Sequence, residues 1–152
     1  MKKMYWGIGL IGAAAALAFG WYAVSPLFNP LKTDEALPES AAPMMAETRE
    51  MAGTIVGTPG HPSSGTVRIV SADGKQYVRY ENLKTINGPD IYVYLSKDLG
   101  AREYVELGKV KSTEGNANYE IPAGVDPADY RYVLIWCKQF GVLFNSAEIN
   151  PA

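Results

Sequence analysis

Two side chains carry chemistry that no other residue of the sequence shares: Cys137 is its only cysteine and His61 its only histidine. An ionised thiol is a nucleophile, a redox centre or a soft ligand, and an imidazole is a base or a ligand near neutral pH. Haem iron and copper both accept this pair of donors. Two donors leave such a site incomplete, so a methionine, a carboxylate or an external ligand would have to join them. Met44, Met45 and Met51 offer thioethers, but they fall in a stretch with the composition of a linker. A lone cysteine closes no internal disulfide, which leaves an intermolecular bridge, a reactive thiol, a ligand or a small buried hydrophobe.

Cys137 ends the run Tyr132-Val133-Leu134-Ile135-Trp136-Cys137, which is β-branched or aromatic on both parities. A strand apolar on both faces belongs inside a sheet with cover on each side. Cys137 shares its parity with Val133 and Ile135, and such neighbours raise a thiol pKa and make the group inert. Lys138, the adjacent cation, points to the other face of an ideal strand. His61 sits in the loop Gly57-Thr58-Pro59-Gly60-His61-Pro62-Ser63-Ser64-Gly65, where it is either a loop residue bonded to backbone or a ligand acting with Cys137.

Other chemistries fail by inspection. Gly74-Lys75 is followed by Gln76, so there is no phosphate loop, and Gly53, Gly57, Gly60 and Gly65 lack dinucleotide spacing. Ser63 and Ser64 have no orienting acid beside His61. Asp90, Asp126 and Asp129 occupy turn and cap positions. No hydrolase or transferase machinery is visible. A net charge of −2 with no basic tract argues against a nucleic-acid partner.

The elements that must position these residues come after an address. Residues 5–24 are uncharged, follow Lys2 and Lys3, and carry Tyr5-Trp6 and Trp21-Tyr22 at their ends. A helix of about 20 residues spans a bilayer core of about 30 Å. Residues 1–24 are therefore expected to be a transmembrane signal anchor, with the N-terminus in the cytoplasm and the rest displayed in the periplasm or at the cell surface. The alternative is a cleaved signal peptide, for which Ala16-Leu17-Ala18 is a passable site. Both export the domain. Residues 25–50, with Pro26, Pro30, Pro38 and Pro43 and an acidic balance, read as a flexible linker with a short helical turn near residues 44–51.

Residues 51–152 read as one all-β domain, a β-sandwich or jelly roll, because short alternating runs recur between Gly, Pro and Asn turns. Asp73-Gly74 between two such runs predicts a tight hairpin. Ile91-Tyr92-Val93-Tyr94-Leu95 predicts a strand with its aliphatic face in the core. Asp126 is expected to cap a single helical turn beginning at Pro127.

From about Gly53 to Ile149 the chain resembles the DM-thirteen domain family. The residues that carry the likeness are His61-Pro62-Ser63-Ser64-Gly65-Thr66-Val67, Tyr80-Glu81-Asn82-Leu83 and Asn87-Gly88-Pro89-Asp90-Ile91-Tyr92-Val93-Tyr94-Leu95-Ser96. Further on come Leu107-Gly108-Lys109-Val110-Lys111, Tyr119-Glu120-Ile121-Pro122 and Val133-Leu134-Ile135-Trp136-Cys137. Leu83 departs from the phenylalanine more usual there. The resemblance implies an all-β exported module with a characteristic cysteine at Cys137, an association with electron transfer and a redox partner protein. Two functions follow as expectations: a membrane-tethered redox accessory acting through Cys137 with His61 as helper, or a non-enzymatic envelope binding domain in which Cys137 is core packing.

Overall fold

The computed structural model describes residues 2–39, 41–43, 45–46 and 49–150, leaving out the side chains of residues 2–9, 27, 43, 45–46 and 49–50. A helix, α1 (Lys2–Val24), and a 3-10 turn (Ser25–Phe28) precede the strands. Four short strands follow: β1 (Lys32–Asp34), β2 (Ala42–Pro43), β3 (Met45–Ala46) and β4 (Arg49–Glu50). The body of the domain is β5 (Ala52–Gly57), β6 (Ser64–Ala72), β7 (Lys75–Lys84), β8 (Ile91–Ser96), β9 (Tyr104–Lys109), β10 (Glu114–Ile121), β11 (Tyr132–Cys137) and β12 (Val142–Glu148).

These strands make one curled sheet in the order β1-β10-β7-β6-β5-β12-β11-β8-β9, with β2 also on β6. The expected all-β domain is present as one curled sheet, which stays continuous because β5 changes partners along its length. Ala52, Gly53 and Thr54 pair with β6, while Ile55, Val56 and Gly57 pair with β12. A Cβ at Gly53 would fall on the Glu148 carbonyl, so only glycine lets the two backbones pass at this corner. The curl returns β9 towards β10 through residues 110–113. There the Val110 amide donates to the Ile91 carbonyl at 2.9 Å, and the Lys111 amide to the Tyr119 hydroxyl at 2.9 Å.

Local sequence accounts for the main features. Asp73 and Gly74 take φ of 50° and 75°, the double left-handed geometry of a two-residue hairpin joining β6 to β7. Asp126 accepts from the Ala128 amide at 2.9 Å and caps the 3-10 turn Pro127–Asp129. β11 lies between β12 and β8, as its two apolar faces require. Val133, Ile135 and Cys137 join Ile91, Val93 and Leu95 in the core. On the opposite face Leu134 is buried beside its register partner Tyr94, whose ring stacks on Tyr104 at 4.2 Å and 17°.

Of the expectations for the N-terminal third, the linker changes. The uncharged run is helical, but among the described residues no helix is long and apolar enough to cross a membrane. The stretch expected as a flexible linker is pinned to the sheet at its start. β1 pairs in parallel with β10, and Arg79 Nη1 donates to the Glu35 and Ala36 carbonyls at 3.1 and 3.2 Å. Where a helical turn was expected, β3 and β4 pair antiparallel; Met44, Glu47 and Thr48 lie outside the described residues.

Candidate functional site

Cys137 closes β11, opposite Ile91 on β8 and Val142 on β12. It is 1% exposed. The four-residue turn 138–141 follows, with Gly141 at φ 62°, so Lys138-Gln139 belongs to a hairpin loop. Lys138 turns outward to Glu106 at 2.8 Å and lies over the Tyr92 ring, leaving its charge committed away from the thiol.

The sulfur-bearing residue nevertheless borders open space. A cavity of about 360 Å³ is walled by Cys137, Phe140, Val142, Phe144 and His61, with residues 86–89 and Ala23 closing its sides. His61 and Cys137, far apart in the chain, thus face one cavity. Trp136 is not among its walls. The lining contains no Lys, Arg, Asp or Glu.

A bulge in β12 shapes this cavity. Ile135 pairs with Asn145 and Trp136 with Leu143, which makes Phe144 the extra residue. Strict alternation would send Phe144 and Asn145 to opposite faces, yet the bulge buries both. The Phe144 ring meets the His61 ring at 4.1 Å between centroids, tilted by 31°. A Cβ on Gly88 would come within 2.8 Å of the Phe144 ring, so the loop 87–90 closes over that ring only because residue 88 is glycine.

His61 is positioned by a Pro-Gly turn. The His61 amide donates to the Thr58 carbonyl at 2.9 Å, Pro59 and Gly60 form the tip, and Gly60 takes φ 84°. Thr58 fixes the imidazole. Its Oγ1 lies 2.7 Å from the Leu143 carbonyl, 3.1 Å from the Phe144 carbonyl and 2.9 Å from His61 Nδ1. The hydroxyl has one proton and carbonyls only accept, so that proton goes to a carbonyl and Oγ1 accepts from Nδ1–H. This assigns the neutral ring its proton on Nδ1 and a lone pair on Nε2. Nε2 has no protein partner among the described residues. The Tyr80 hydroxyl is the only buried unpartnered side-chain polar atom there, so Nε2 is not sealed in.

A buried polar network holds the loop from beneath. Ser63 Oγ donates to the His61 carbonyl at 3.1 Å and accepts from Thr85 Oγ1 at 2.8 Å and Asn145 Nδ2 at 3.2 Å. The second hydrogen of Asn145 Nδ2 reaches Thr85 Oγ1, also at 3.2 Å. Thr58, Phe144, Gly88 and Asn145 were not singled out as site residues from the sequence. Asn145 left one signal, a polar residue following Val142-Leu143-Phe144 inside a strand.

Of the remaining expected metal donors, the one whose side chain is described lies elsewhere. Met51 is 1% exposed and packed in the core; Met44 and the Met45 side chain lie outside the described residues. Among the described residues no group of three or more His, Cys, Asp or Glu side chains is placed to hold a metal ion. Among the described residues, His61 and Cys137 offer haem iron or copper two protein donors, without a third from a carboxylate.

The class these features define is a small all-β module whose one thiol and one imidazole share an apolar cavity, with no nucleophile–base–acid constellation beside them. The chain belongs to the electron transfer DM13 family, whose family model matches residues 56–149, from the corner strand β5 to the residue after β12. No curated protein and no solved structure matches the chain.

Proposed function

We propose that this protein is an accessory module of electron transfer, tethered to a membrane outside the cytoplasm, in which Cys137 is the redox or ligating atom and His61 its helper. The observation that carries the reading is the shared wall: the single cysteine and the single histidine line one cavity, and Nε2 has no protein partner among the described residues. Family membership supports the electron-transfer association. A membrane tether is supported by the uncharged run 5–24 behind Lys2 and Lys3, and by the exposed apolar side chains of α1, including Leu10, Ile11, Leu17, Phe19 and Trp21. A second protein would supply or accept the electrons.

One observation favours a rival in which the module only binds and Cys137 is packing: the residue is 1% exposed and belongs to the hydrophobic core. The rate of Cys137 alkylation, followed from roughly pH 5 to pH 9 in folded and unfolded protein, separates the two. A working thiol reacts in the folded chain with an apparent pKa below the free value of about 8.5. A packing thiol stays protected until the domain unfolds.

A further inference from the structure

The cavity beside Cys137 also defines the chemistry of what can occupy it, and we infer that it binds a neutral aromatic ring bearing a hydroxyl group, a phenol or hydroquinone head, with that hydroxyl donating to His61 Nε2. This rests on the same cavity being the functional site, but not on the redox role of its thiol.

Size permits a substituted ring. An apolar cavity of about 150 Å³ is enough for benzene, and this one is about 360 Å³. Charge excludes ions: no carboxylate faces a cation there, and no Lys or Arg faces an anion. Shape favours a flat ligand, because Phe144 and Phe140 present aromatic surface and Gly88 keeps the loop close.

The polar inventory sets the remaining requirement. Asn87 is partly engaged, one Nδ2 hydrogen donating to the Asn29 carbonyl at 2.8 Å and Oδ1 accepting from the Gly88 amide at 2.9 Å, so what it has to offer a ligand is its second N–H. His61 Nδ1 is held by Thr58, which fixes Nε2 as an acceptor. A ligand must therefore bring a donor to meet it. A ring with only ether or carbonyl oxygens would set its lone pairs against that of Nε2, whereas a phenolic O–H completes the bond.

The end of α1 marks one border of this cavity. Ala23 lines it, the Phe19 ring meets Phe140 edge-on at 6.5 Å, and the Tyr22 hydroxyl donates to Gln139 Oε1 at 3.0 Å. A head group carried by a lipid would arrive from the helix side, and one free in water would not need the helix.

The test uses the single histidine as its own reporter. Full-length chain with ¹⁵N-labelled histidine is titrated with 2,3,5-trimethylphenol and, separately, with 2,3,5-trimethylanisole, which has the same ring and no donor. The phenol should shift the Nε2 resonance saturably and leave Nδ1 protonated. It should bind at least about tenfold more tightly than the anisole, a difference of about 1.4 kcal/mol. His61→Phe should abolish that discrimination, and because neither ligand nor the histidine readout draws on the thiol, the outcome is independent of whether alkylation shows Cys137 to be reactive. Equal affinity for phenol and anisole in the unmodified chain, no saturable shift, or a free ring with its proton on Nε2 overturns the inference, and none of these outcomes depends on a variant folding. A hydroquinone with a long isoprenoid tail, compared with its tailless form in lipid nanodiscs, tells the lipid source from the aqueous one.

Discussion

Arg79 and Cys137 are both almost fully buried, and they put burial to opposite uses. Arg79, its side chain 7% exposed, is surrounded by acceptors: Glu81 Oε1 at 3.1 Å, Asn118 Oδ1 at 2.9 Å and the carbonyls of Glu35 and Ala36. Arg68 joins the same carboxylate oxygen at 2.8 Å. Each side chain in this cluster is answered by a neighbour. At the other site Cys137 and His61 line one cavity, and the imidazole keeps one nitrogen without a protein partner among the described residues. A buried polar group whose bonds are complete stabilises the fold; one left incomplete on a cavity wall is available for chemistry.

The largest effect that would break this contrast belongs to the charge cluster. Arg79→Met should destabilise the domain by about 3–5 kcal/mol in urea unfolding, because it removes the buried charged donor to the Glu35 and Ala36 carbonyls and Asn118 Oδ1 and leaves Glu81 to Arg68 alone. The cluster also sets an acid limb. Burial pushes the Glu81 carboxyl up, but hydrogen bonds and charge from Arg68 and Arg79 hold it below its ordinary value of 4.5. A depressed folded pKa means the stabilisation is complete above pH 4.5 and is lost as pH falls through the lower folded value. Arg68→Met should flatten the fall in unfolding free energy measured below that pH.

Next in size is Gly88→Val. The new side chain meets Phe144 and Ile91, at a cost of about 1–3 kcal/mol in stability. It should also remove binding at the cavity, whereas a substitution in the charge cluster should leave any binding intact in the fraction that stays folded. Cys137→Ser places a hydroxyl among core residues and should lower stability by about 1–2 kcal/mol in the same assay. The smallest effect has the opposite sign. The buried Tyr80 hydroxyl has no partner among the described residues, and burial raises its pKa well above 10.0. Tyr80→Phe should raise the melting temperature, or at least leave it unchanged, with a gain of up to about 1 kcal/mol.

How much of this was legible in the sequence differs between the two regions. The hairpin at Asp73-Gly74, the cap at Asp126 and the interior place of β11 follow from short-range rules, since turn chemistry and strand parity are written in neighbouring residues. The corner at β5 was not legible, because six consecutive residues give no sign that three of them pair with β6 and the other three with β12. Arg79 was equally silent: two of its acceptors, the Glu35 and Ala36 carbonyls, come from a proline-rich stretch whose composition reads as a tether. Cys137 and His61 stood out as the only residues of their kinds, but their shared cavity depends on the bulge at Phe144. That bulge breaks the alternation from which faces are predicted, and it is also what turns the Phe144 ring to His61.

The central claim is that Cys137 is reached through its cavity in the folded protein. The most direct measurement is the alkylation rate of Cys137 by a small uncharged maleimide as urea is raised from zero to just below the unfolding transition. Passage through the cavity predicts a rate that hardly changes over this range and drops in Gly88→Val. A rate that climbs with urea as steeply as global unfolding, and that Gly88→Val speeds in proportion to its lost stability, would contradict the account and leave the sulfur as packing.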